Sequence, residues 1–141
     1  MSKLKTTSGD DYPDAAEKHL KDATALLDAS RHDGAAYLSG YVVECSLKAL
    51  RQLETGNTKA THGITGLTSE VNALVAAAGT KIARYVGPAT KGIPSTPIAT
   101  WQPGMRYRSE EIAPTDARTW VSLAAGVFQE TIAQMKLDGA V

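Results

Sequence analysis

The chain has one cysteine, Cys45, so it can form no intrachain disulfide and cannot build a cysteine-based zinc cage by itself. That usage fits a reducing, cytoplasmic setting. No apolar run approaches the roughly 20 residues that a membrane helix needs. The most apolar stretch, residues 35–43, is interrupted by Ser39 and Gly40. Lys3 and Lys5 are followed by no apolar core of a signal peptide, so secretion is not expected. Neither sign of charge is in excess: fifteen basic residues balance fifteen acidic ones, and global charge points to no partner. No Gly-x-Ser-x-Gly, P-loop or Gly-x-Gly-x-x-Gly motif occurs, and no carboxylate cluster accompanies His62 at metal-ligand spacing. The sequence therefore predicts neither cofactor nor metal. Internal repeats and sustained strand-like alternation are also missing.

What is present reads as one all-α domain. At 141 residues the chain is large enough for a single hydrophobic core. Residues 1–12 are polar and aperiodic and are expected to form a flexible tail. Pro13 opens a segment in which Ala16, Leu20, Ala23 and Leu27 recur at helical spacing, predicting a first helix over about 13–30. Residues 31–34 make a short polar connection with Asp33 as N-cap, which implies an antiparallel hairpin. From Ala35 to Leu53 the apolar positions go most of the way round the helix, so this second rod is surrounded by protein. Ala36, Ser39 and Gly40 leave room for a neighbouring helix, and Gly56 and Asn57 stop the rod. Ile64, Leu67, Val71, Leu74 and Val75 predict a third helix, with Thr65 or Thr68 as its cap. Residues 81–86 add one further turn or a short helix. Four prolines and three glycines make residues 87–104 a long loop. A last helix runs from about Thr115 to Met135, with Trp120, Ala124, Val127, Phe128, Ile132 and Met135 inward. The expected architecture is an antiparallel up-and-down bundle of four to five helices within 13–137.

Glu44 and Lys48 stand one turn apart on the buried rod, and a buried charge without a mate costs several kcal/mol. Two readings are open: an intrahelical pair at the bundle edge, or part of a functional groove. Tyr37 and Tyr41 are core-rim tyrosines or line the same groove. Between Val71 and Ser109 no acidic residue occurs, while Lys81, Arg84, Lys91, Arg106 and Arg108 are interleaved with Tyr85, Trp101 and Tyr107. That mixture suits a phosphate backbone and stacked bases, or else the aromatics anchor the loop. Of the histidines only His62, just before a helix, stands at an interesting place, and Cys45 reads as a small core residue.

The segment Ala35-Ala36-Tyr37-Leu38, followed by Gly40-Tyr41-Val42-Val43-Glu44-Cys45-Ser46-Leu47-Lys48-Ala49-Leu50, resembles the second helix of HEPN domains. Thr61-His62-Gly63-Ile64 is similar to the histidine-led start of that family's third helix, and Trp101-Gln102-Pro103-Gly104-Met105-Arg106-Tyr107-Arg108 to the approach to its last helix. The resemblance implies a helical bundle that commonly forms homodimers, is often encoded beside nucleotidyltransferase-type partners, or works in RNA-targeting toxin and defence systems. Active HEPN nucleases follow an arginine, after four to six intervening residues, with a histidine for metal-independent RNA cleavage. Here that spacing from Arg106 reaches Glu111, Ile112 and Ala113, and the other arginines fail in the same way. The expectation is a non-catalytic module with Tyr41, Glu44, Lys48, His62, Arg106 and Tyr107 near a groove between the second and last helices, and with Arg106 reaching Glu44 as its cation. Lys81, Arg84, Lys91, Trp101 and Arg108 are the candidate nucleic-acid contacts. The alternative is an altered ribonuclease using His62 as base.

Overall fold

A computed structural model describes every residue except Lys59, Ala78 and Glu110. It is all-α, with no strand among the described residues. Helices α1 (Tyr12–Asp28), α2 (His32–Thr55), α3 (Ile64–Ala76) and α5 (Pro114–Phe128) are the rods. Helix α4 is the single turn Pro88–Lys91, and α5 continues through a π turn, Gln129–Ala133, into α6 (Gln134–Leu137). Asp11 caps α1 by accepting the Asp14 N–H, with Pro13 in the first turn where its missing N–H does no harm.

Helix α2 starts at His32, and Arg31, not Asp33, is its cap residue, without a side-chain bond. The Asp33 carboxylate instead accepts the N–H of Ile112 at 2.5 Å, a use that depends on a segment 79 residues away and has no local signature. Gly56 ends α2 in the left-handed region at φ 76°, as its sequence position predicts. Neither Thr65 nor Thr68 caps α3. Gly63 holds that place, Thr68 is buried with its hydroxyl on the Ile64 carbonyl, and Thr65 points to the Ala99 carbonyl.

The core runs along α2, whose residues 42–50 are all buried. Packing against α1, α3 and α5 covers it on three sides. The six inward positions expected on the last helix are all buried. The proline-rich stretch is irregular but not loose. It is α4 followed by three 3-10 turns, Ile93–Ser95, Pro97–Thr100 and Pro103–Tyr107, and it inserts Ile93, Ile98 and Trp101 into the core. The room left at Gly40 is taken by Trp101 rather than by a helix, since a Cβ at Gly40 would lie 2.1 Å from the indole.

The expected tail folds back onto the body. Ser2 donates its N–H and hydroxyl to Asp11 at 2.7 and 2.6 Å, the Leu4 carbonyl accepts the Gln52 amide at 2.8 Å, and Leu4 packs on the core. A polar composition conceals these contacts, because they come from backbone groups and one leucine. Two further carboxylates fasten irregular segments in the same manner. Glu54 accepts the N–H groups of Lys81 and Ile82, and Glu130 accepts those of Ala89 and Thr90.

Candidate functional site

Tyr37, Tyr41, Glu44 and Lys48 follow one another at intervals of four, three and four residues, so they form one stripe along α2. Their surroundings come from the antiparallel register with α1. Lys48 Nζ lies 5.3 Å from the Tyr12 ring centre, His19 stacks on Tyr41 at 5.4 Å, and Leu26 meets Gly34 near the turn. Each pairing moves seven residues along α1 for seven back along α2, as a hairpin requires.

The Glu44 and Lys48 side chains are only 3 % and 4 % exposed, and Nζ stands 2.9 Å from Oε1. His62, 53 % exposed, brings Nδ1 to 3.0 and 3.2 Å from the two Glu44 oxygens. An ionised carboxylate only accepts, so Nδ1 donates and the imidazole keeps Nε2 as its remaining nitrogen. Glu44 thus finds its cation one turn away and a second donor on the segment before α3. No ion pair joins it to Arg106 among the described residues, which corrects the expected Arg106–Glu44 contact. The need for a counter-charge was real, and the intrahelical neighbour meets it first because helical geometry places i and i+4 side by side.

Arg106 sits at the other end of the stripe. It is fully exposed, lies 4.8 Å over the Tyr107 ring, and interacts with the side chains of Tyr107 and Tyr37, which make it still more basic. Tyr107 is 78 % exposed. Between the ends, the Tyr37 hydroxyl donates to that of Tyr41 at 3.1 Å, and Tyr41 meets the Trp101 ring edge-on at 4.7 Å. Burial, aided by the Tyr37 bond, pushes the Tyr41 phenol up to about 12. Burial also lowers His19, whose Nδ1 is enclosed with no hydrogen-bond partner, and pushes Cys45 up to about 12, so that Cys45 is a core thiol and no nucleophile at neutral pH. Tyr12 and His19 belong to this polar seam although the sequence did not single them out. They share the seven-residue spacing of Tyr41 and Lys48 and stand at helical spacing from the buried Ala16 and Ala23, on the face that α1 turns to α2.

The candidate nucleic-acid contacts do not form one track. Trp101 is 3 % exposed and donates its indole N–H to the Tyr37 carbonyl at 2.9 Å, so its ring is core and offers no stacking face. Arg84 is paired with Asp138 at 3.1 Å. Lys81 follows α3, its N–H held by Glu54, whereas Arg108 lines a cleft with Asp33 and Tyr37. Seventeen residues of α2 separate Tyr37 from Glu54, about 25 Å at 1.5 Å per residue. Lys91 is exposed on α4. Helices α2 and α5 pack directly on each other, and the concavities beside the stripe open at the start of α2, against residues 105–112.

The HEPN domain family model matches residues 11–91, more than half of the chain. The chain belongs to the HEPN domain family. The matched region takes in α1, α2, α3 and α4, and so the whole Glu44–Lys48–His62 cluster, while Arg106 and Tyr107 lie beyond it. No curated protein and no solved structure matches the chain significantly. HEPN membership points to a nuclease or to a nucleotide- or RNA-related interaction module. Among the described residues no group of three or more histidine, cysteine or acidic side chains is placed to hold a metal ion, and no helix is long and apolar enough to cross a membrane.

Proposed function

We propose that this HEPN chain is a homodimeric, non-catalytic interaction module that engages a partner protein, nucleotide or RNA along the α2 stripe and the adjoining Arg106–Tyr107 edge. The observation that carries the reading is the internal engagement of Glu44. Its carboxylate is taken up by Lys48 and His62, so the most buried charges of the stripe hold α2 to the start of α3. No arginine is followed by histidine at the family's nuclease spacing, which removes the usual catalytic pair. HEPN domains often dimerise, and a partner encoded nearby, such as a nucleotidyltransferase, is the natural first candidate.

Light scattering on the purified chain is expected to give twice the monomer mass. Mixed RNA is expected to remain intact with or without chelator. A monomer mass refutes the homodimer.

One observation favours a second reading. A buried, cation-anchored carboxylate bound to Nδ1 of a half-exposed histidine is how a general base is held in one orientation. In that reading the chain is an altered ribonuclease of a toxin or defence system, with His62 as base and Arg106 steadying charge on phosphorus. Against it, no ion pair joins Arg106 to the Glu44–His62 cluster among the described residues. Chelator-resistant cleavage abolished by both His62→Ala and Arg106→Ala would establish it and overturn the non-catalytic reading.

A further inference from the structure

Two clefts open at the α1–α2 turn. One, of about 480 Å³, is lined by Leu26, Arg31 and Gly34 among others. The second, of about 140 Å³, is lined by Tyr37, Met105 and Arg108. Both include Asp33, Glu111 and Ile112, so they form one continuous trough. Leu26, Met105 and Ile112 give it apolar surface. Arg31 and Arg108 stand along it, and Arg106, which lines neither cleft, lies next to Met105 in the Pro103–Tyr107 turn at its edge. None of these three arginines forms an ion pair among the described residues, whereas Arg51, Arg84, Lys48 and Lys136 all do. Tyr107, the most exposed aromatic ring, lies against Arg106. Arginine, tyrosine and methionine around an apolar floor are the composition enriched at protein-binding hot spots.

We propose that this trough docks a segment of a partner protein in which carboxylates flank apolar side chains. The proposal rests on the reading of the chain as an interaction module and names the kind of partner. The carboxylates meet Arg31, Arg106 and Arg108, and the apolar side chains cover Leu26, Met105 and Ile112. Bidentate pairing with carboxylates is what exposed, unpaired guanidinium groups do best. The two acids in the trough decide against a nucleic-acid strand. Asp33 is tied to the Ile112 N–H and Glu111 has no cation among the described residues, so a strand with phosphates at every step would press charge against both. A peptide can set its carboxylates opposite the arginines alone. The combined volume suits a few side chains rather than a folded domain.

Fluorescence anisotropy with a fluorescein-labelled peptide in which aspartates flank two leucines tests this on the full chain. The peptide is expected to bind, and the double reversal Arg31→Glu with Arg108→Glu to weaken it about tenfold or more. Lys18→Glu, an exposed change on α1 that lines neither cleft, should leave binding unchanged. Replacing the leucines by serines, or the aspartates by lysines, should abolish it. All the changes lie on exposed side chains, so folding is checked by circular dichroism. The proposal is overturned if the peptide does not bind, if the double reversal leaves its affinity intact, or if an oligouridylate of equal charge binds the trough more tightly. That last result would leave the interaction-module reading standing, and RNA cleavage, measured separately, would remove that reading.

Discussion

Gly40→Ala is expected to unseat Trp101 and to destabilise the protein by about 2–3 kcal/mol. The new Cβ would lie 2.1 Å from indole carbons and nitrogen, far inside any real contact. Alanine contributes about 1 kcal/mol in its favour as a better helix former. Against that stand overpacking, the lost bond from the indole N–H to the Tyr37 carbonyl, and exposure of a ring now 3 % accessible. The packing loss is the larger quantity, so the sign is destabilising. Trp120 is the other tryptophan. In a Trp120→Phe background the emission of Trp101 should therefore shift to the red with Gly40→Ala, and the unfolding midpoint in urea should fall. Trp101→Ala supplies the control: once the indole is gone, Gly40→Ala should become neutral or mildly stabilising. Unchanged emission and stability would mean that the indole does not rest on Gly40.

Lys48→Met is expected to cost about 3–4 kcal/mol, because it leaves the buried Glu44 carboxylate without its main cation. His62 keeps a hold on Glu44 and softens the loss. His62→Ala should cost only about 1 kcal/mol, since that ring is half exposed and water can take its place. Replacing both members of the pair, Glu44→Leu with Lys48→Met, should recover much of the loss, giving a double mutant more stable than the sum of its parts. Chemical denaturation of Glu44→Leu, Lys48→Met and the double mutant, beside the unaltered chain, decides the matter. Strict additivity would show that the two side chains are not coupled in solution.

Much of this fold could be read in the residues. Helices α1 to α3 and the last helix follow apolar spacing, and the full burial of α2 follows from apolar positions that go round it. The stretch from Gly87 to Tyr107 could be read only as non-helical, because prolines break periodicity without saying which side chains turn inward. Trp101 stood open in the sequence as a ring for stacking bases or as an anchor of the loop, and the structure makes it the anchor, seated on a glycine sixty-one residues earlier. The seam around Glu44 was legible in part. Lys48 and Glu44 were visible as a pair, and His62 as a residue of interest, but their meeting needs the chain between α2 and α3 to fold back. Tyr12 and His19 escaped notice because their place depends on the hairpin register, which fixes Tyr12 against Lys48 and His19 against Tyr41. Arg106 illustrates the limit: the sequence says that a cation is present and cannot say whether it reaches the carboxylate or turns to Tyr37.

In a chain with one cysteine, four carboxylates do the cross-linking that disulfides do in small secreted domains. Asp11, Asp33 and Glu54 clasp backbone N–H groups of irregular segments, at Ser2, Ile112 and Lys81–Ile82, and Glu130 clasps those of Ala89 and Thr90 in the single turn of α4. Unlike covalent bridges, such clasps open and close singly, and each governs a different stretch of chain. Two of the four, Glu54 and Glu130, fasten stretches whose side chains Ile82, Tyr85 and Thr90 are themselves buried in the body. The latch at Asp33 and Ile112 is also a wall of the arginine-lined trough, so the amide of Ile112 reports directly on whether that surface is held in shape.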